Sequence, residues 1–327
     1  MNSNSNPATE PEVLKLLVKS ITYEAPGIHS LELVDPLGAE LPAFDAGAHI
    51  DLHLGGIGAR SYSLLNPPQE RQRYVVAVQK QAAGRGGSRH VHDAIRVGDT
   101  VTVGGPRNNF PLAADALASV FIAGGIGVTP FLAMAARLRA LGQPWKLHYI
   151  AKSVDSAAFA DRLRALADDG GQVVFHFTRT PSGRRPALAD LITGMDRGAH
   201  VYCCGPEAMI QAFEQATQGL PAGQVHLERF SATQAADASG GFTVNAVRSA
   251  KMVFVEPGKT ILDALLDAGI DVAHSCMEGV CAACETRVIE GIPDHRDAVL
   301  SPAERQSNAT MMVCCSGSKS SLLVLDV

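Results

Sequence analysis

The sequence predicts a multidomain chain. An antiparallel β-barrel or sandwich comes first, an α/β domain built on a parallel sheet second, and a small cysteine-bearing domain last. Three observations carry this. Residues 11–105 hold short runs in which apolar and polar residues alternate, separated by Pro and Gly. From residue 111 the period changes: an unbroken apolar run at 120–123 leads into a glycine turn and then into apolar residues at helical spacing. Beyond a small, polar, aperiodic stretch at 231–241, Cys276, Cys281 and Cys284 stand at C-x4-C-x2-C spacing, with Cys314 further on.

The chain has 327 residues, enough for two or three domains. With 46% hydrophobic and 19% charged residues it has an ordinary globular composition, and a net charge of −5 argues against a nucleic-acid surface. Residues 1–10 are polar and lack the basic start and apolar run of a secretory signal. Residues 116–136 are uncharged over the length of a membrane span. Gly124, Gly125, Gly127 and Pro130 break them, so they read as strand, turn and helix. The seven cysteines are odd in number and clustered, unlike a secreted disulfide framework. A cytoplasmic protein without membrane or nucleic-acid partners is expected.

In the first region, strands are expected at 13–18, 29–33, 49–54 and 74–78. Arg60-Ser61-Tyr62-Ser63-Leu64 alternates so that Arg60 and Tyr62 share one side. Arginine can grip a phosphate with two N–H groups and tyrosine can pack on a planar ring, although a solvated strand face has the same pattern. Gly84-Arg85-Gly86-Gly87-Ser88 offers successive N–H groups, a cation and a hydroxyl. It fits an anion nest or a flexible hairpin loop.

In the middle region, the turn from Gly124 to Pro130 joins strand to helix. That geometry puts a pyrophosphate on backbone N–H groups at a helix N-terminus. Strands are expected at 146–150 and 172–177, with a helix at 157–166 between them. The last strand, 200–203, runs into Cys204-Gly205-Pro206 at its carboxyl end, where such sheets bind ligands. A core cysteine followed by a helix start with Pro in its first turn fits as well. Lys152 and Arg179 follow strands where an adenosine ribose would lie, and could meet a 2′-phosphate or solvent.

In the last region, strands at 242–248 and 252–255 precede a helix at 260–269, capped by Thr260 and ended by Gly269; a strand at 322–325 closes the chain. The cysteine spacing is that of a [2Fe–2S] cluster, where four thiolates converge on two irons. Gly279, Ala282 and Ala283 are small enough for backbone N–H groups to approach the sulfurs. A zinc site usually pairs two C-x2-C knuckles, and one is present. Cys314 and Cys315 are adjacent, and on an extended chain their side chains point to opposite faces, so one can ligate while the other packs away. The acidic residues of this region form a solvated surface or a docking face for a basic partner.

Several of these segments resemble known families. Arg60 to Leu64 resembles the flavin-binding motif of the ferredoxin–NADP reductase superfamily. Arg85-Gly86-Gly87-Ser88 resembles the FMN-phosphate loop of the phthalate dioxygenase reductase family, and Gly105 to Phe110 its exit from the barrel. Cys204-Gly205-Pro206 resembles the superfamily's motif beside the nicotinamide. His226 to Phe230 resembles a segment whose aromatic residue packs near the flavin. The last region resembles the β-grasp fold of plant-type ferredoxins.

The resemblance implies an antiparallel β-barrel flavin domain at 1–110, an α/β parallel-sheet NAD(P)H domain at 111–230, a linker at 231–241 and a β-grasp [2Fe–2S] ferredoxin domain at 242–327. It implies FMN at Arg60, Ser61, Tyr62, Ser63, Ala77, Val78, Lys80, Gly86, Gly87 and Ser88, with Phe230 beside the ring. It implies NADH at Gly124, Gly125, Ile126, Thr129, Cys204, Gly205 and Pro206, and the cluster at Cys276, Cys281, Cys284 and Cys314. Ala282 stands where the family usually has Gly, and Met277 where it has an acidic residue, which implies a shifted potential. The implied activity is that of a monomeric oxidoreductase passing electrons from NADH through FMN and the cluster. The implied acceptor is a separate Rieske-type terminal oxygenase acting on an aromatic or related small substrate. An FAD-dependent reductase of another hydroxylase or demethylase, and a sensor module holding a non-redox metal, are the alternatives.

Overall fold

The computed structural model describes residues 13–327 apart from 83, 168–169, 181–182, 184, 197 and 231–233. The first unit is a six-stranded antiparallel sheet of β1 (Val13–Ala25), β2 (Ile28–Val34), β3 (His49–His53), β4 (Ala59–Ser63), β5 (Tyr74–Gln79) and β6 (Thr100–Arg107). Their order is β4-β3-β6-β1-β2-β5. A bridge from Leu64, just past β4, to Val76 in β5 joins the two edges and closes the barrel. The two-residue period of each strand divides its side chains. Val76 and Val78 fill the barrel with Ile50, Leu52 and Val103, while Val75 and Ala77 face the next domain's core. The segment after β5 is not a hairpin loop, because a short helix α1 (Gly87–Asp93) begins inside it.

The second unit is a parallel sheet of β7 (Ala118–Gly124), β8 (Trp145–Ala151), β9 (Gly171–Phe177), β10 (Ala199–Cys204) and β11 (Val225–Glu228), ordered β11-β10-β7-β8-β9. Helices α2 (Thr129–Leu141), α3 (Ala160–Ala167), α4 (Leu188–Ile192) and α5 (Glu207–Ala216) accompany it. The strand at 200–203 is therefore not the last: β11 pairs with β10 in parallel and carries Glu228 to the same end of the sheet. The α3 helix starts later than expected because Phe159 takes a left-handed φ of 63°, which interrupts right-handed helix. Phe121, Phe131, Trp145 and Tyr202 form the core that β5 and Leu65 of the barrel cover.

The third unit places β12 (Phe242–Ala246), β13 (Lys251–Val255), β14 (Glu285–Glu290), β16 (Thr310–Met312) and β18 (Leu322–Leu325) in the order β13-β12-β18-β14-β16. A small ribbon pairs β15 (Pro293–Asp294) with β17 (Gly317–Ser318). Helix α6 (Ile261–Asp267) buries Ile261, Leu262 and Leu265 on the sheet, as in a β-grasp, and α7 (Pro302–Ser307) flanks the last turn. The linker's first residues, 231–233, lie outside the described residues. Its later part is not a loose tether: Asp237 is buried, donates its N–H to the Cys315 carbonyl, and pairs with Arg296. Among the described residues no helix is long and apolar enough to cross a membrane.

The start of α6 carries a full capping box, with Thr260 Oγ1 accepting from the Asp263 N–H and the Asp263 carboxylate accepting from the Thr260 N–H. Replacing Thr260 by Ala should cost about 1 kcal/mol in denaturant unfolding of the third unit, and Thr260→Ser should cost little.

Candidate active site and thiol centre

One cleft of about 950 Å³ runs along the barrel wall, the carboxyl ends of β7, β8 and β10, and the thiol loop. Its barrel side is β4. Arg60, Ser61, Tyr62 and Ser63 all line it, with Ala77 on the neighbouring strand and Gly86, Gly87 and Ser88 at the start of α1. Gly87 is required here: a Cβ would lie 2.8 Å from Cγ and Nε of Arg60, so only glycine lets that side chain lie across the helix start. The Ser88 hydroxyl accepts from the Gln81 N–H at 3.0 Å and fixes the loop.

Two features of this wall ask for a ligand. Burial, and then the neighbouring Arg85 guanidinium, press the Arg60 pKa below its ordinary value, so a phosphate beside Arg60 would offset both effects. His49, on β3 opposite Ser63, is buried in the wall, and burial holds its pKa down at about 4. Its neutral ring leaves Nε2 without a hydrogen-bond partner among the described residues. A planar heteroaromatic ring with a phosphate tail satisfies both demands. Tyr62, its hydroxyl pushed up to about 12 by burial, stays neutral and offers a ring face.

The structure places three expected residues elsewhere. Val78 points into the barrel core, because its strand parity is that of Val76. Lys80 turns to Asp93 at 2.5 Å. Cys204 is wholly buried beneath the cleft, with its carbonyl where a Cβ on Gly127 would fall.

On the opposite wall, Gly124, Gly125, Ile126 and Thr129 line the cleft at the entrance to α2, as do Gly205 and Pro206 at the end of β10. A Cβ on Gly124 would meet Pro206 Cδ at 2.7 Å, and one on Gly205 would meet the Gly124 backbone at 3.1 Å. The glycines thus let the ends of β7 and β10 touch and leave helix-start N–H groups open to a pyrophosphate. Lys152 lines the far end with Thr178 and Arg185, whereas Arg179 does not. Phe230 stands half-exposed at the cleft beside Glu228 and Arg229, and Arg229 is held by Glu207 and Glu214 at 3.2 and 2.9 Å. Glu228 gives no signal in the sequence, because β11 is four half-buried residues with no strong period. Burial raises its carboxyl to about 8, and it faces Cys204 Sγ at 3.8 Å.

The third wall is the thiol loop. Cys276, Cys281, Cys284, Cys314 and Cys315 are all buried, and Cys276 lines the cleft itself. The backbone is left-handed at Met277 (φ 55°), Gly279 (φ 69°) and Ala282 (φ 59°), which wraps the chain around the sulfurs. The Glu278 N–H donates to Cys276 Sγ at 3.3 Å, and the Gly279 N–H donates to Cys314. The sulfurs come as two pairs, Cys276 with Cys281 and Cys284 with Cys314. In each pair one thiol donates to the other, which pushes the accepting sulfurs of Cys276 and Cys314 toward thiolate. Two sulfur pairs fit two irons. Cys315 packs under Gly279, toward the Met312 carbonyl, and donates to Cys314.

Arg85 stands in the glycine-rich loop between Gly84 and Gly86. Its guanidinium reaches the Cys276 carbonyl at 2.9 Å and the Glu278 carboxylate at 2.6 Å, so the glycine-rich loop and the thiol loop are in direct contact.

Glu228 carries a proton in the folded protein up to about pH 8, against an ordinary value of 4.5, so the unfolded chain binds fewer protons between these values and stability falls as pH rises through them. Glu228→Gln should therefore raise the Tm more at about pH 8 than at about pH 5. For the thiols, Cys314→Ser should lose iron from the purified protein, and Cys315→Ser should keep it with a changed visible spectrum; iron analysis on both decides.

Comparison with known proteins agrees with this geometry. Residues 245–318 match the 2Fe-2S iron-sulfur cluster binding domain family, and residues 121–215 match the oxidoreductase NAD-binding domain family. The chain is 47% identical over 315 residues to the phenoxybenzoate dioxygenase subunit beta of Ectopseudomonas oleovorans, covering 96% of this chain and 97% of that one. It is 40% identical to a vanillate O-demethylase oxidoreductase of a Pseudomonas species, covering 96% and 100%. Among solved structures it is similar to phthalate dioxygenase reductase, described as a modular structure for electron transfer from pyridine nucleotides to [2Fe-2S]. The match has 38% identity and a TM-score of 0.73, and covers 96% of this chain and 98% of that one. With the barrel, the parallel sheet and the paired thiols arranged around one cleft, the chain belongs to the phthalate dioxygenase reductase family of NADH-dependent flavin and iron–sulfur oxidoreductases.

Proposed function

We propose that this chain is the reductase component of an oxygenase system. It takes electrons from NADH through FMN and a [2Fe–2S] cluster to a separate Rieske-type terminal oxygenase that acts on an aromatic or related small substrate. It works as a cytoplasmic monomer. The observation that carries the reading is that Cys276 lines the same cleft as Arg60, Gly87, Gly124 and Gly205. Hydride entry, flavin and electron exit then share one space.

FMN, when bound, supplies the conversion of a two-electron hydride into single electrons that a cluster can carry. The chain's own residues bind and orient. Arg60 and Arg85 hold the phosphate, with Gly86, Gly87 and Ser88 giving their backbone. Ser61, Ser63, Tyr62, Ala77 and the His49 ring frame the heterocycle, and Phe230 covers it. Gly124, Gly125, Ile126 and Thr129 receive the dinucleotide's pyrophosphate at the α2 start, and Gly205 and Pro206 line the nicotinamide end. Cys276, Cys281, Cys284 and Cys314 hold the cluster, with Cys315 donating to a ligand sulfur. The guanidinium pair abuts the thiol loop, so the flavin site ends at one phosphate, which favours FMN over FAD.

Purified protein should contain one flavin and two irons, the released flavin should co-chromatograph with FMN, and NADH should bleach both visible bands. A colourless zinc protein would overturn the reading; a flavin and iron–sulfur protein that passes no electrons to any Rieske oxygenase would overturn the choice of partner.

A further inference from the structure

Asp51 is a charged residue in the middle of an apolar strand, and no cofactor role accounts for it. Ile50 and Leu52 point into the barrel, so Asp51 points out, and its side chain is 1% exposed. A buried carboxylate needs partners. Two come from the barrel: Ser61 Oγ donates to Oδ1 at 2.6 Å, and the Arg107 guanidinium pairs with Oδ2. Gly104, opposite Asp51 in the β3–β6 register, leaves the space. The third partner crosses domains: Ser275 Oγ, immediately before Cys276, donates to Oδ2. Burial opposes the charge, but Arg107 and the hydroxyls of Ser275 and Ser61 outweigh it and hold the carboxyl below its usual range.

We infer that Asp51 and Ser275 are positioning residues that latch the thiol loop onto the flavin wall and so set the rate of electron passage between the two cofactors. Ser61 links the latch to the flavin strand, since the same residue lines the cleft and bonds Asp51. Arg85 makes a second, more exposed contact on the next residues of the loop, Cys276 and Glu278. Without the Ser275 hydroxyl the loop keeps the exposed Arg85 contact and the linker but loses its buried polar grip on the barrel. In the step affected, one electron leaves the reduced flavin and one is gained by the oxidised cluster; no bond forms or breaks.

The latch rests on the electron route proposed above, so the test separates the two. Ser275→Ala removes only the interdomain leg, leaving Asp51 with Ser61 and Arg107. In anaerobic stopped flow, reduction of the flavin by NADH should match the parent, while passage from flavin to cluster should slow about tenfold or more, a misplaced reacting pair being costly. Iron content and the cluster's EPR signal after dithionite should be unchanged. Amide exchange across 274–280 should quicken, and Ser275→Thr should restore both rate and protection. An unchanged flavin-to-cluster rate in Ser275→Ala overturns the latch. So does a slowed rate accompanied by lost iron or an altered EPR signal, which would make Ser275 part of the cluster site. Failure of NADH to reduce the flavin in the parent would instead overturn the route itself.

Discussion

Arg85 reaching the Cys276 carbonyl, with Asp51 gripping Ser275 one residue earlier, is the junction on which the rest of the molecule depends. Single electrons cross protein only over short, fixed gaps, so the cluster domain must be held against its donor. The two grips differ in strength. The Arg85–Glu278 pair is 45% and 32% exposed, and pairs of that kind contribute about 0–1 kcal/mol. Asp51 is enclosed, and a hydrogen bond to a charged group, such as the one Ser275 makes, contributes about 1.5–3 kcal/mol. Specific placement therefore comes mainly from the buried carboxylate, and the guanidinium adds a link between phosphate loop and thiol loop.

Everything around that junction is shaped by how closely backbones must approach. Gly87 makes room for Arg60, Gly124 and Gly205 let two strand ends touch, and Gly279 admits the Cys315 sulfur. Where the loop is left-handed at a residue other than glycine, as at Met277 and Ala282, the cost is roughly 1–3 kcal/mol each. The surrounding contacts hold the shape: Asp297, fully buried, accepts from the N–H groups of Val299 and Leu300, and the Ala298 N–H bonds the Gly279 carbonyl.

Much of this was legible in the sequence. Period-two strands, the buried parallel run at 120–123, the Thr260 cap and the cysteine spacing each have a local physical cause, and each appears where its cause predicts. The glycine motifs were legible as places of close approach. What was not legible depends on partners far away in the chain. Asp51 reads as an oddity until Ser275, 224 residues later, is seen against it. The resemblance places Lys80 at the flavin, but Asp93 on α1 draws it off. Val78 was lost to parity, and Cys204 to its depth under Gly127. The edge strand β11 was too short to show a period, and with it Glu228 escaped notice.

The most direct test of the account is one anaerobic experiment. The protein, carrying flavin and cluster, is mixed with a single equivalent of NADH and frozen at intervals for absorption and iron EPR. The account predicts that the flavin bleaches first and that the reduced-cluster signal then grows within the same molecule, at a rate independent of protein concentration. A cluster that stays oxidised while the flavin remains reduced, or a cluster signal whose rate rises with concentration, would contradict it.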